Sequence, residues 1–240
     1  MPSVPPGWRL RVEPALPSTQ DLVLRLAAAG EPEGLAVLAH RQTAGRGREA
    51  RGWESPAGNL HLSVLLRPGG PMRAAAQWGL LAGVALAEAL GTFLPDPAAI
   101  RLKWPNDLLL GQGKLAGMLT DIAPDATGRI DWVVIGFGAN LRTAPEVEGR
   151  AVASLGPQAV SPEAAAAAVL RAVDLWRMAP FAAIREAWMR RGPDRGAPLT
   201  LRWGARSAAG AYAGLAEDGS LLLDDGSGPR PFATGETGGR

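Results

Sequence analysis

The residues best suited to chemistry lie in two short stretches. The first, QTAGRGREARGWESPAGN from Gln42 to Asn59, sets Arg46, Arg48 and Arg51 among Gly45, Gly47, Gly52 and Gly58. Glycines let the backbone approach a ligand closely and present its N–H groups, while arginine forks hold phosphate or carboxylate oxygens. Such a loop suits the wrapping of an anion, although by spacing alone a solvated, flexible basic loop explains it equally well. It is neither a Walker A loop, because GxxxxGK[ST] is absent, nor a dinucleotide-binding fingerprint. The second stretch, KWPNDLLLGQGKLAGML from Lys103 to Leu119, places Asn106 and Asp107 at a turn between strands and delivers Lys114 on a strand shortly before Gly117. Taken alone it reads as an Asx turn followed by a surface lysine.

Composition narrows the chemistry further. Of the 25 basic residues only Lys103 and Lys114 are lysine, and asparagine occurs only at Asn59, Asn106 and Asn140. In a chain that otherwise avoids both types, these positions are where a compact ammonium or a carboxamide is hard to replace, with chance as the alternative at any single one. The absence of cysteine excludes disulfides, iron–sulfur ligation and thiolate catalysis, and with only His40 and His61 a transition-metal site is not expected. A net charge of +2 does not call for nucleic acid. Lys, Arg, Asn, Asp and backbone amides are left to do the work.

The elements that must position these residues follow from punctuation and periodicity. A proline-rich lead over residues 1–16 is expected to be an extended arm. Ser18 or Thr19 caps a helix that Gly30 stops. GLAVLAHRQ reads as a buried strand, the segment 43–58 as a long loop of the kind that is usually functional or disordered, and LHLSVLL as the next strand. A long Ala/Leu helix spans about Met72 to Leu90, and strands follow at IRLKW, DLLL, KLAGMLTDI and IDWVVIGFGAN. Two further helices are expected, one capped by Ser161 with Pro162 at its first position, the other from about Pro180 to Arg191. Trp78, Trp176 and Trp188 sit at helical spacing and read as core, His40 as a structural histidine, and Arg190 and Arg191 as complements to a helix C-terminus.

From Gly192 onward the chain is short-stranded and turn-rich. The expected organisation is an α/β (α+β) catalytic domain over 1–191 and a small β-barrel or sandwich domain over 192–240. At 240 residues and 47% apolar content the chain can bury a sizeable core. No run of roughly 20 uninterrupted apolar residues and no leader pattern stand out, so a cytoplasmic protein without membrane contact is expected.

In order and spacing, GRGR-x-x-R-x-W-x-S-P-x-G-N-L, KWPND, K-L-x-G and a strand ending in GxGxN resemble the catalytic domain of biotin–protein ligases, which are similar in fold to lipoate ligases and octanoyltransferases. The resemblance covers roughly residues 16–142 and, more weakly, 192–236. It implies a mixed-sheet catalytic domain, a C-terminal SH3-like β-barrel, and a monofunctional enzyme without a DNA-binding module. ATP and Mg²⁺ are the implied cofactors and biotin the substrate. The implied partner is a biotin carboxyl carrier protein domain of a biotin-dependent carboxylase, and the implied assembly a homodimer through a sheet edge.

Carried over residue by residue, the resemblance implies that Ser18, Thr19, Gln20 and Gln42 bind the ureido ring of biotin, Gln20 standing where Asn is commoner. Gly45, Arg46, Gly47 and Arg48 would fold over biotin and its activated carboxylate, with Glu49 at a usually basic position. Arg48 as well as Arg51, Trp53, Asn106, Asp107 and Asn140 would fall on the nucleotide side, Asp107 also as a Mg²⁺ ligand. Lys114 would contact the carboxylate and the α-phosphate, and Gly117 would mark a close approach to biotin. Arg46, Arg48 and Lys114 are the implied catalytic cations, since two anions can react only where cations neutralise both. A lipoate or octanoate ligase or transferase on the same scaffold is the nearest rival, and the missing cysteine disfavours cysteine-using octanoyltransferases. A non-catalytic nucleotide or RNA binder using the arginine loop is the rival of another class. A repressor is disfavoured because only the 17 residues before Ser18 precede the motif region, too few for a helix-turn-helix module.

Overall fold

The computed structural model describes residues 3–158 and 160–238. Seven strands form a mixed sheet: β1 (Arg9–Glu13), β2 (Leu35–Ala39), β3 (Leu60–Leu66), β4 (Ile100–Lys103), β5 (Asp107–Leu110), β6 (Gly113–Pro124) and β7 (Ile130–Ala139). Their spatial order is β1-β2-β3-β7-β6-β5-β4, with β1 parallel to β2 and every other neighbouring pair antiparallel. Within the expected extended arm, residues 9–13 are therefore a paired strand. RLRVE has only two apolar residues, too few to announce a strand, but it pairs along its whole length with β2, and Trp8 is tied by its indole N–H to Asp174 at 2.9 Å.

Helix α1 (Thr19–Ala28) covers one face of the sheet, while α2 (Ala76–Gly91), α3 (Pro162–Arg177) and α4 (Phe181–Arg191) cover the other side. The caps are those the sequence announces: Ser18 Oγ accepts from the Asp21 amide, and Ser161 Oγ from the Ala164 amide, with Pro162 opening α3. The segment Met72–Gly91 is long and apolar enough to cross a membrane, but it is mostly buried, and its helix α2 is packed between α3, α4 and the sheet. Trp78 and Trp188 are buried as expected, and Trp176 donates its indole N–H to Glu88 at 2.7 Å.

Strand alternation divides the side chains cleanly. In β3, Leu60, Leu62, Val64 and Leu66 enter the main core, and in β7 so do Val133, Ile135, Phe137 and Ala139. The opposite face carries Leu65 and Val134 against α1 and, further along, His61, Ser63, Gly136 and Gly138. The α1 face is thus apolar at one end and small or polar at the other.

The C-terminal strands β8 (Pro198–Trp203), β9 (Arg206–Leu215), β10 (Leu221–Asp224), β11 (Pro229–Phe232) and β12 (Glu236–Gly238) form a five-stranded antiparallel sheet in the order β11-β10-β9-β8-β12. Leu201, Tyr212, Leu215, Leu221 and Leu223 from this sheet belong to the same buried cluster as α2 and the large sheet. The two sheets therefore share one core.

Candidate active site

A cleft of about 490 Å³ opens over the glycine-rich part of the α1 face. Its floor is a row of paired residues running across five strands: Lys103, Asp107, Gly117, Gly138 and His61, each the register partner of the next. Gly117 and Gly138 leave the room that Trp53 uses. A Cβ on Gly138 would lie 2.6 Å from Trp53 Cε2, and one on Gly117 would lie 3.4 Å from Trp53 Cζ3. The indole is laid on two backbones from the loop above, and its Nε1 is buried without a hydrogen-bond partner.

Lys114 reaches the same floor because the pairing of β5 and β6 shifts. Leu108 pairs with Ala116 but Leu109 pairs with Lys114, so Leu115 is an extra residue on β6. Strict alternation would send residues 114 and 117 to opposite faces, and the bulge brings both into the cleft. Lys114 Nζ lies 2.5 Å from Asp107 Oδ1 and 5.5 Å above the centre of the Trp53 ring. Its backbone is clamped from the other side, with Lys114 N donating to Ala151 O and Ala153 N donating to Lys114 O.

At the far end of the cleft the N-terminus of α1 meets β3 and the start of the arginine loop. Gln42 Oε1 accepts from the Thr19 amide at 2.7 Å, and Gln42 Nε2 donates to Ser55 Oγ at 2.9 Å. Ser18, Thr19, Gln20, Ser55 and Ser63 are all buried. Gln20 is fully engaged inside the protein: Nε2 donates to Asp121 Oδ2 at 2.8 Å and to Val134 O at 3.3 Å, while Oε1 accepts from Ser63 at 2.9 Å.

The arginine loop divides its charges. Arg46 points to Asp21 on the rim, Nη1 to Oδ1 at 2.5 Å. Arg51 pairs with Glu236 of β12, which holds the Glu236 carboxyl below its usual range, chiefly through that hydrogen bond. Arg48 donates to Gly235 O at 3.4 Å, with Asn106 Oδ1 at 3.5 Å. Gly45 lies beneath the loop: a Cβ there would come within 2.3 Å of Trp53 O, so this glycine is required by loop packing. Glu49 adopts φ 55°, a left-handed conformation that costs a non-glycine residue energy.

The structure thus gathers the implied biotin, nucleotide and catalytic residues around one cleft, Gly45 alone among them lying behind its lining. Asn106 brackets β6 by donating to Met118 O at 2.7 Å, and Asn140 lines the cleft with a buried Oδ1 that has no partner. Asn59 instead fastens the chain after β7, donating to Thr143 O at 2.8 Å and accepting from the Arg142 amide at 3.0 Å. His40 approaches Glu163 at 3.4 Å, away from the cleft. Ser63, Asp121 and Glu236 went unnamed by sequence reasoning, and His61 was weighed only as a metal ligand, not as part of this cleft. The period-2 placement of His61 and Ser63 within an otherwise apolar strand was the signal for those two; Glu236 had none.

Comparison with known proteins gives the class. Residues 12–140 match the Biotin/lipoate A/B protein ligase family. The biotin–[acetyl-CoA-carboxylase] ligase of Paracoccus denitrificans is 38% identical over 218 residues, 86% of this chain and 90% of that one. The bifunctional ligase/repressor BirA of Escherichia coli is 32% identical over 241 residues, covering 96% of this chain and 74% of that one. A solved biotin protein ligase from Aquifex aeolicus in complex with biotin and ATP superposes with a TM-score of 0.79 at 26% identity, covering 96% of this chain and 97% of that one. The chain belongs to the biotin/lipoate A/B protein ligase family.

Proposed function

We propose that within this family the protein is an ATP-dependent biotin–protein ligase. The carrying observation is a single cleft with a hydrogen-bonding end at buried Thr19 and Ser63 and half-buried Gln42 and a cationic end at Lys114, Arg48 and Arg51, joined by a glycine floor under Trp53. A polar ring fits the first, an apolar chain the floor, and a carboxylate beside a triphosphate the second.

The chemistry follows from placing two anions together. A biotin carboxylate oxygen attacks the α-phosphorus of ATP, pyrophosphate leaves, and biotinyl-5′-adenylate forms. Lys114 is the cation best placed for this step because its side chain is only 16% exposed and it sits on a rigid strand. The rim pairs Arg46–Asp21 and Arg51–Glu236 are solvent-exposed and individually weak, so phosphate oxygens can replace the carboxylates in them. The mixed anhydride is open to hydrolysis, and the arginine loop with Trp53 excludes water above it. A carrier lysine amine then attacks the acyl carbon, AMP leaves, and the amide forms with loss of one proton.

Among the described residues no group of three or more His, Cys, Asp or Glu gathers. A Mg²⁺ ion, which accepts one carboxylate together with phosphate oxygens and waters, fits this donor set, and Asp107 is the residue that would hold it. It would supply charge neutralisation at the phosphates.

The acceptor is a biotin carrier protein domain, and the reading assigns the enzyme to the cytoplasm, where ATP is available, and to a homodimer through a sheet edge. It also treats residues 192–240 as a unit that serves the catalytic part, through Glu236 and Thr237 at the cleft. The deciding experiment is incubation with ATP, Mg²⁺, biotin and a biotin carrier domain. One biotinyl mass added to one carrier lysine, with pyrophosphate released, supports the reading; mass addition from lipoate or octanoate and none from biotin overturns it.

A further inference from the structure

Four oxygens run in line along the buried side of α1: Gln20 Oε1, Ser63 Oγ, Thr19 Oγ1 and Gln42 Oε1, with successive separations of 2.9, 2.8 and 3.0 Å. The two ends are amide oxygens, which only accept. The two middle atoms are hydroxyls with one hydrogen each. Three gaps share two hydrogens, so one gap always holds two oxygens with no proton between them.

Neither end can cure this by turning its amide over. Gln20 Nε2 faces the Asp121 carboxylate and the Val134 carbonyl, both of which only accept. Gln42 Oε1 faces the Thr19 N–H, which only donates. Asp121 sits behind the cleft wall, in register with Val134, and it holds Gln20 so that its oxygen points toward Ser63. Gly136 makes room for that oxygen, since a Cβ there would lie 2.6 Å away. Thr19, Gln20 and Ser63 are all at least nine-tenths buried, so water does not readily supply the missing hydrogen.

We infer that Asp121 and Gln20 are positioning residues that keep this end of the cleft short of hydrogen-bond donors and so tune it to a ligand ring carrying N–H groups. The inference rests on the biotin reading and deepens it. With the Ser63 hydrogen held by Gln20, the single Thr19 hydrogen must serve either Gln42 Oε1 or Ser63 Oγ; a ligand N–H at the cleft selects the second arrangement, in which Thr19 Oγ1 and Gln42 Oε1 are left as adjacent acceptors. A cyclic urea N–H answers both. A dithiolane ring has no hydrogen to give and leaves the acceptors opposed.

The test is the ratio of dissociation constants, by calorimetry, for biotin and for biotin methylated on the ureido nitrogens, in wild type and two variants. Gln20→Met removes one terminal acceptor, leaving two hydrogens for two gaps. Asp121→Ala frees the Gln20 amide to turn and supply a third hydrogen. Wild type should prefer biotin by about tenfold or more, the scale of leaving buried acceptors unmet. In both variants the ratio should fall severalfold while ATP affinity stays within about twofold. A merely structural role would weaken both ligands alike and leave the ratio unchanged. An unchanged ratio in either folded variant overturns the inference, as does a wild type that binds both rings equally. A wild type that binds neither ring overturns the biotin reading itself.

Discussion

Lys114 Nζ and Asp107 Oδ1, on adjacent strands of the large sheet, stand 2.5 Å apart with 16% and 17% of their side chains exposed. A pair this buried does not mainly serve stability, because desolvating both charges offsets most of their attraction. Its use is to keep an ammonium compact and ready in the cleft, from which it can turn to an incoming carboxylate and phosphate. The bulge at Leu115 and the clamp by Ala151 and Ala153 fix where it stands.

Replacing Lys114 by Arg keeps the charge and loses the fit. A guanidinium is a wide planar fork, and Trp53, 5.5 Å away, and Asp107 leave little width for it. Biotin-dependent pyrophosphate release should fall on the order of 10²-fold, about 3 kcal/mol, as for other misplaced preorganised donors. Circular dichroism should be unchanged. A variant forming adenylate at the wild-type rate removes Lys114 from the mechanism.

Gly138→Ala tests the floor. Its backbone is not in the left-handed region, so alanine is tolerated locally, but the new Cβ would lie 2.6 Å from Trp53 Cε2 and 2.8 Å from Nε1. The indole must lift off the floor. ATP affinity should fall about tenfold, in line with the loss of an aromatic contact, whereas Gly117→Ala, at 3.4 Å from the same ring, should have the milder effect. Calorimetric titration of both variants with nucleotide measures the difference, and equal affinities would show that Trp53 does not need this seat.

How much was legible in the sequence depended on whether the signal was local. Helix caps at Ser18 and Ser161 and the strands from Ile100 to Asn140 follow from neighbours in the chain, and they were read correctly. β1 was missed because RLRVE is an edge strand whose partner, β2, lies some 26 residues on in register, from Arg9 to Leu35. Arg51 was named as a nucleotide residue, but its partner Glu236 lies 185 residues away and no local pattern points to it. The oxygen line behind Gln20 was invisible for the same reason: it joins α1, β3, β6 and the arginine loop.

His61 gives a pH signature. Burial pushes its imidazole below the ordinary value of 6.5, and the neutral form is the one the cleft floor holds. The unfolded chain takes up a proton near the ordinary value while the folded protein does not. The stabilising contribution is therefore complete above about pH 6.5 and is lost as pH falls from there toward the lowered folded value, below which it levels off. His61→Gln should remove that segment of the pH dependence of Tm, leaving the remainder of the curve parallel to wild type. Thermal melts from pH 7.5 down to pH 5 measure it, and parallel curves throughout would mean that His61 is not the group responsible.

The latch between Arg51 and Glu236 gives the last prediction. The pair is 44% and 40% exposed, so it contributes no more than about 1 kcal/mol, and its removal should leave Tm nearly unchanged. What it does is hold the arginine loop against β12, with Arg48 on Gly235 O as the second tie. Glu236→Gln should loosen the loop and let trypsin cut after Arg48 and Arg51 faster in the free protein, by at most about fivefold on the same energy scale. Biotin and ATP together should slow cleavage in both proteins, because phosphate oxygens and the biotin carboxylate then order the loop. With both ligands bound the two proteins should be cut at the same rate, since Arg51 has exchanged its carboxylate for phosphate. A Glu236→Gln protein cut at the wild-type rate when free would show that β12 does not hold the loop, and a difference that persists at saturating ligand would show that Arg51 never leaves Glu236.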